Sequence, residues 1–275
     1  MYDKKFKILT NAYTIKENQV LCTPPANPLK ITGTRFPSVL ELDRFKSPFE
    51  AWCEISRIVK WDFVETPQFK AGRIVEKKLI AELQTMFPKL NLRTPESFPH
   101  CVSWPYDYFP NEPIFGGKWD CLGTDTMVEL KTTGAKNIRY WLKGAPENHL
   151  LQTALYAYLS GCERIILACS FLSEKDYVCP DLYRPILSKY FGKGNSVYYE
   201  YKLSYIFPNF RSNQIQRAIE FWNYHIATGV SPKFTDQDTK SGLVDALKQR
   251  ITASDKFTKS VCVEHPNMNY PNNIY

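Results

Sequence analysis

Residues 67–86 (PQFKAGRIVEKKLIAELQTM) repeat apolar positions at helical spacing, with Ile74, Leu79, Ile80 and Leu83 on one stripe. They predict a long amphipathic helix. Two shorter helices are expected upstream, at 36–43 and 48–60, joined by a Lys-Ser-Pro turn with Ser47 as N-cap and Pro48 at the first helical position. The pattern changes to a strand period at 116–133, where Gly123-Thr124-Asp125-Thr126 reads as the tight turn of a hairpin. A helix follows at 147–160, ended by Gly161, then a buried strand at 164–172 (RIILACSFL). Alternation at 196–206 predicts another strand, and 211–228 a last long helix ended by Gly229. Residues 1–30 read as irregular, and 230–275 as polar and irregular apart from a short helix near 241–251. This order predicts an α/β domain with a central mixed β-sheet flanked by helices.

Composition narrows the class. A chain of 275 residues with 44% hydrophobic content can bury a full core. It has no uninterrupted apolar run of about 18 residues and no apolar signal core at its start, so a soluble cytoplasmic protein without a membrane span is expected. The net charge of +7 permits attraction to a polyanion without requiring it. The cysteines, Cys22, Cys53, Cys101, Cys121, Cys162, Cys169, Cys179 and Cys262, show no C-x2-C spacing, and buried free thiols are expected rather than a metal or disulfide framework.

The candidate chemistry lies on the hairpin, in KWDCLGTDTMVELKTTG. Side chains two apart on a strand share a face, so Glu129 and Lys131 point the same way. With Thr124 and Asp125 as the central turn residues, Asp120 falls opposite Glu129, roughly 5 Å away. Asp120 and Glu129 supply oxygen ligands for a hard divalent cation, with the Leu130 carbonyl as a third; Mg²⁺ is the expected ion and Mn²⁺ a substitute. Lys131 is placed to orient or deprotonate an attacking water. Taken alone, this spacing also fits a solvated hairpin with a surface Glu–Lys pair. Glu76 lies four residues after Gly72 on the upstream helix, one face with it, and fits an outer carboxylate. The glycine is expected to let that helix approach the sheet, or a DNA ligand, closely. Gln152 and Tyr156 share a face of the downstream helix with His149, and both fit phosphate contacts.

In this order the segments ITGTRFPSVLELDRFKSPFEAWCEI, Gly72-x3-Glu76, Asp120, Glu129-Leu130-Lys131, Gln152-x3-Tyr156 and ATGVSP at 227–232 carry a resemblance. The chain resembles the PD-(D/E)xK nuclease superfamily, in its λ-exonuclease-like (viral recombinase) and RecB-like branch, over roughly residues 28–232. That resemblance implies one nuclease domain over 1–232, with a restriction-endonuclease-like core, and a C-terminal tail or appendage at 233–275. It implies Glu76, Asp120, Glu129, Lys131 and Gln152 as the catalytic set. It also implies metal-dependent hydrolysis of DNA, commonly 5′-to-3′ from duplex ends, in some members by a ring of three subunits beside a single-strand annealing protein. A bacterial or phage-infected cell would be the setting. Trp119 stands where the family commonly has proline, and Thr34 where it often has serine. Lys30 and Arg35 are candidates for a terminal phosphate; Lys136, Arg139 and Lys143, with Tyr140 and Trp141, are candidates for the DNA backbone or a wedge at its end. Asp107 is a further acid that could complete a second metal site. The alternatives are a structure-selective or single-strand nuclease of the RecB-like kind, and a catalytically silent DNA-binding or assembly module.

Overall fold

The computed structural model describes residues 6–62, 64–189 and 191–251. In chain order the strands and helices begin with β1 (Phe6–Ile8), β2 (Tyr13–Lys16), β3 (Gln19–Cys22), β4 (Ile31–Thr32), α1 (Phe36–Val39), α2 (Pro48–Ile55), β5 (Val59–Trp61) and α3 (Pro67–Met86). They continue with α4 (Pro99–Ser103), β6 (Phe115–Gly116), β7 (Cys121–Leu122), β8 (Thr126–Gly134), α5 (Glu147–Ser160), β9 (Arg164–Leu172), α6 (Glu174–Val178), β10 (Leu187–Ser188), β11 (Ser196–Lys202) and α7 (Leu203–Ile206). Helical turns at 211–226 form α8, followed by α9 (Asp236–Lys240) and α10 at 243–251. The fold is mixed α/β.

The chain divides into two compact units, one of residues 30–48 and 63–222, the other of 1–29, 49–62 and 223–275. This division does not follow the expected boundary at residue 232.

The larger unit holds a five-stranded mixed sheet in the order β10-β11-β9-β8-β7. β8 and β9 run parallel with Glu129 beside Leu167 and Lys131 beside Cys169, and β11 lies antiparallel on the far side of β9. A parallel pair requires a crossover, which α5 supplies. The alternation of β8 separates two chemistries. Val128 and Leu130 face one way and pack with Ile166, Ala168 and the α3 residues Leu79 and Leu83. Glu129, Lys131 and Thr133 face the other way, toward α5. Helices therefore cover the sheet on both faces. The buried seam of α3 is Ala71, Val75, Leu79 and Leu83, stepping by four. Ile74 and Ile80, expected on the stripe, are only half-buried, because the seam drifts around the helix from a strict heptad. Thr66 caps α3 by accepting the Phe69 amide at 3.2 Å.

The smaller unit corrects the reading of both chain ends. The segment expected to be irregular forms β1, β2 and β3. β1 pairs with β5, Phe6 opposite Trp61, and β2 pairs with β3 as a hairpin. Their partners lie far off in sequence: the Val20 amide donates to Ser231 Oγ at 2.8 Å and Tyr13 Oη donates to the Leu247 carbonyl at 3.0 Å. β1, paired only with a distant strand, leaves no local pattern to read, whereas the β2–β3 hairpin turns locally at Glu17-Asn18, a signal that the irregular reading misses. Residues 233–251 are likewise packed, with Leu243, Val244 and Leu247 fully buried. Residues 252–275 of the expected tail, Cys262 among them, lie outside the described residues. Two shorter corrections concern element ends. The helix expected to reach residue 60 stops at Ile55, and the strand expected to reach 206 gives way to α7 after Lys202. The described cysteines carry free thiols; most are buried, and Cys179 is exposed. No described helix is long and apolar enough to cross a membrane.

Candidate active site

The hairpin register is the one derived from its turn. Cys121 pairs with Val128 and Leu122 with Met127, and the Gly123 amide donates to the Thr126 carbonyl at 2.8 Å, enclosing Thr124 and Asp125. One step further places Asp120 opposite Glu129. β7 ends there, so the edge of β8 is open from residue 129 onward. Asp120 fills the first opening by accepting the Leu130 amide on Oδ2 at 2.7 Å. A strand residue turns its N–H and C=O to the same side, so the Leu130 carbonyl faces that open edge beside Asp120.

Glu129 is buried, and its Oε1 accepts from Lys131 Nζ at 2.5 Å and from Gln152 Nε2 at 2.5 Å. Oε2 has no partner although it is shut off from solvent. A buried carboxylate oxygen without a donor costs free energy. The neighbouring charges raise that cost. Burial, then the charge of Asp120, pushes the Glu129 carboxyl up to about 8, against the pull of Lys131. Burial and Asp120 push Glu76 up to about 7, and burial raises Asp120 despite Lys131 and the Leu130 amide. Lys131 keeps its proton more firmly than usual: burial lowers its pKa, but Glu129, Asp120 and Glu76 together outweigh it. Glu76, Asp120, Glu129, Lys131 and Gln152 therefore form one electrostatic cluster, fed by α3, the hairpin and α5.

Among the described residues no three His, Cys, Asp or Glu side chains close up as a ready metal cage. The cluster nonetheless fits a hard cation. It offers the unpartnered Oε2 of Glu129, the second oxygen of Asp120, and carboxyls that burial above all holds at raised pKa, a cost that a bound cation would relieve.

The other expected site residues fall into two groups. Lys136, Arg139 and Lys143 are exposed on the segment after β8. Lys30, Arg35 and Tyr156 are engaged internally. Lys30 Nζ binds Asp107 Oδ2 at 2.5 Å and the Phe109 carbonyl at 2.7 Å, while Arg35 Nη1 donates to the Lys30 carbonyl at 2.9 Å. Asp107 is spent in the same knot, its Oδ1 accepting the amides of Phe109 and Gly117 at 3.0 Å each. That leaves it no free oxygen for a second metal. Tyr156 is buried with its hydroxyl turned toward the backbone at Gly33 and Gly117, so it braces the site instead of presenting itself to a phosphate. Gly72, expected to permit a close approach, has room to spare: an added Cβ would meet Thr132 and Glu76 at ordinary contact distances of 3.8–3.9 Å.

The residues that do require glycine were missed. A Cβ at Gly33 would lie 2.6 Å from both Gln152 Cγ and Tyr156 Cζ. At Gly117, with φ +129, it would lie 2.5 Å from Tyr156 Oη. Gly33 sits inside the ITGTR segment, and Gly117 three residues before Asp120; position beside the motif was the available signal. Trp119 is buried edge-on against Phe98 and Tyr108 and anchors the approach to Asp120.

No family model matches the chain, and no solved structure matches it. Curated relatives do. The chain is 27% identical to "Uncharacterized protein MG373" of Mycoplasma genitalium, over 86% of its own length and 94% of the relative. It is 26% identical to the MG373 homolog of Mycoplasma pneumoniae, over 76% and 85% respectively. Both relatives are bacterial and carry no stated activity.

Proposed function

We propose that this protein is a metal-dependent DNA exonuclease of the PD-(D/E)xK superfamily with a restriction-endonuclease-like core, hydrolysing phosphodiester bonds of linear DNA. One observation carries the reading: a buried glutamate with a free oxygen, bound by one lysine and electrostatically coupled to two further carboxylates. A structural ion pair would need no surplus of negative charge. A divalent cation held by Asp120, Glu129 and the Leu130 carbonyl, with Glu76 behind, would lower the pKa of water and take up charge on the phosphoryl oxygens. Lys131, firmly protonated beside Glu129, positions the attacking water and neutralises the phosphate. Gln152 fixes the rotamer of Glu129 through its amide. Tyr156 and Gly33 hold Gln152 in turn.

By its resemblance to the λ-exonuclease-like branch, the protein works from duplex ends, 5′-to-3′, beside a single-strand annealing protein, and a three-subunit ring is its assembly. The test is digestion of end-labelled linear duplex with Mg²⁺ by the wild type, Asp120→Ala and Lys131→Ala. Loss in both variants is the expected result; unchanged digestion by both sinks the assignment. Labels at the 5′ or 3′ end report direction. Cutting of closed circles would favour the structure-selective or single-strand nuclease instead, and DNA binding without any Mg²⁺-dependent cleavage would favour a silent binding module.

A further inference from the structure

A cleft of about 440 Å³ opens on the face of β8 that carries Glu129 and Lys131, with Thr133 and His149 in its lining. Thr133 is the next residue on that face after Lys131, about 7 Å along the strand. His149 lies one turn before Gln152 on α5, and the charge of Lys131 reaches it. No residue of the cluster lines the cleft itself; Thr133 and His149 place it next to the cluster along the same face, and its volume lies in the range of pockets that take a small organic ligand.

Its rim is a ladder of planar groups. The Arg44 guanidinium stands 4.6 Å from the Phe45 ring centroid and 4.9 Å from that of Tyr140. The Arg139 guanidinium, next along the chain, stands 4.8 Å from the Tyr140 ring centroid and donates to the Tyr140 hydroxyl at 2.9 Å. Phe45 is 63% exposed and Tyr140 43%. Aromatic rings and guanidinium planes of this kind stack bases of any sequence. Among the described residues neither arginine is ion-paired with a carboxylate, so both guanidinium charges are available to an anion. Asn137 and Asn148 add amides to the lining, with donors and acceptors for a base edge. A buried apolar pocket for a neutral metabolite would not place two cations at its mouth.

We infer that this cleft is a nucleotide subsite: one unpaired base of the cleaved strand stacks on the Phe45–Arg44–Tyr140 rim, its phosphate meets Arg44 and Arg139, and the adjoining phosphodiester lies on the Glu129–Lys131 patch. The inference rests on the hydrolase reading for the role of that patch, but the subsite is testable by binding alone. A base already stacked in a duplex gains nothing from the rim, so the cleft selects a frayed or single-stranded end.

The probe is a short single-stranded oligonucleotide with 2-aminopurine at its terminus, titrated in EDTA so that nothing is hydrolysed. The wild type is expected to quench the fluorophore, with binding that weakens as salt rises. Tyr140→Ala and Phe45→Ala are expected to lose the quenching and bind about tenfold more weakly, while Tyr140→Trp retains both. Arg44→Gln is expected to lower the salt dependence while keeping part of the quenching. Wild-type quenching and affinity in both alanine variants would overturn the subsite. A parallel Mg²⁺ digestion of the unmodified oligonucleotide and its duplex separates the two ideas: quenching with no digestion of either supports the subsite and overturns the hydrolase reading alone.

Discussion

Asp120→Asn should make the metal-free protein more stable at alkaline pH while abolishing cleavage. Ionised together, Glu76, Asp120 and Glu129 oppose one ammonium and leave the cluster at a net charge of −2. Two carboxylates about 5 Å apart repel by roughly 3 kcal/mol at an effective dielectric of ~20. Asp120 faces two such neighbours and one attracting lysine, so removing its charge deletes two repulsions and one attraction of similar size. The asparagine oxygen still accepts the Leu130 amide, which keeps the geometry. The net gain is about 1–3 kcal/mol. The sign of the pH dependence follows from the raised carboxyls. A carboxyl raised in the folded state binds its proton more tightly there, so its contribution is complete below the unfolded carboxylate range. That contribution is lost as pH climbs through about 7 for Glu76 and about 8 for Glu129. Lys131, and after it Arg73, moderate the loss at Glu76. The advantage of Asp120→Asn should therefore be small near about pH 5, grow through about pH 7 and about pH 8, and be nearly full near about pH 9. Urea unfolding in EDTA at the lowest and highest of these pH values measures it. Saturating Mg²⁺, at about 100 times its Kd, should then raise the wild type by about 2.7 kcal/mol and the variant by far less. A variant less stable than wild type at alkaline pH, with equal Mg²⁺ stabilisation of both, would refute the idea of a cluster built around a cation.

Other perturbations reach the site through packing. Gly33→Ala puts a methyl 2.6 Å from Gln152 and Tyr156; it should cost about 1–3 kcal/mol in urea unfolding and reduce kcat by about 10²-fold through displacement of Gln152, and unaltered kinetics would remove Gln152 from the positioning role. Gly72→Ala, with its nearest neighbours at 3.8 Å or more, should stabilise α3 by about 0.5–1 kcal/mol; a loss in unfolding midpoint would show that the helix needs the glycine after all. Ser231→Ala strips the buried Val20 amide of its acceptor and should cost about 1–3 kcal/mol in unfolding without changing cleavage at permissive temperature; loss of cleavage in a fully folded variant would contradict that purely structural role.

The chemistry-bearing hairpin was legible because its geometry is local. A strand period of two puts Glu129 and Lys131 on one face, and a two-residue turn fixes Asp120 opposite Glu129. The helices that deliver Glu76 and Gln152 were legible for the same reason, since α3 and α5 run over the ranges their periodicity marks. What the residues could not declare was which of their polar groups would be spent inside the fold. Lys30 and Asp107 are 77 positions apart and close on each other only when the chain brings the residue before β4 to the loop before β6. Tyr156 shares a helix face with Gln152, yet its hydroxyl turns inward because Gly33 and Gly117 leave space for it. β1 pairs only with β5, far along the chain, so no window over 1–30 contains its pattern; the β2–β3 hairpin closes locally through Glu17-Asn18, both at positive φ, and its signal in YTIKENQVLC was missed. The cleft beside Lys131 joins Arg44 and Phe45 to Tyr140, nearly a hundred residues on. Backbone period and turn length, which depend on neighbours in sequence, determined the line of the site. Burial, charge surplus and the stacking rim depend on which distant segments meet, and only the tertiary structure decided them.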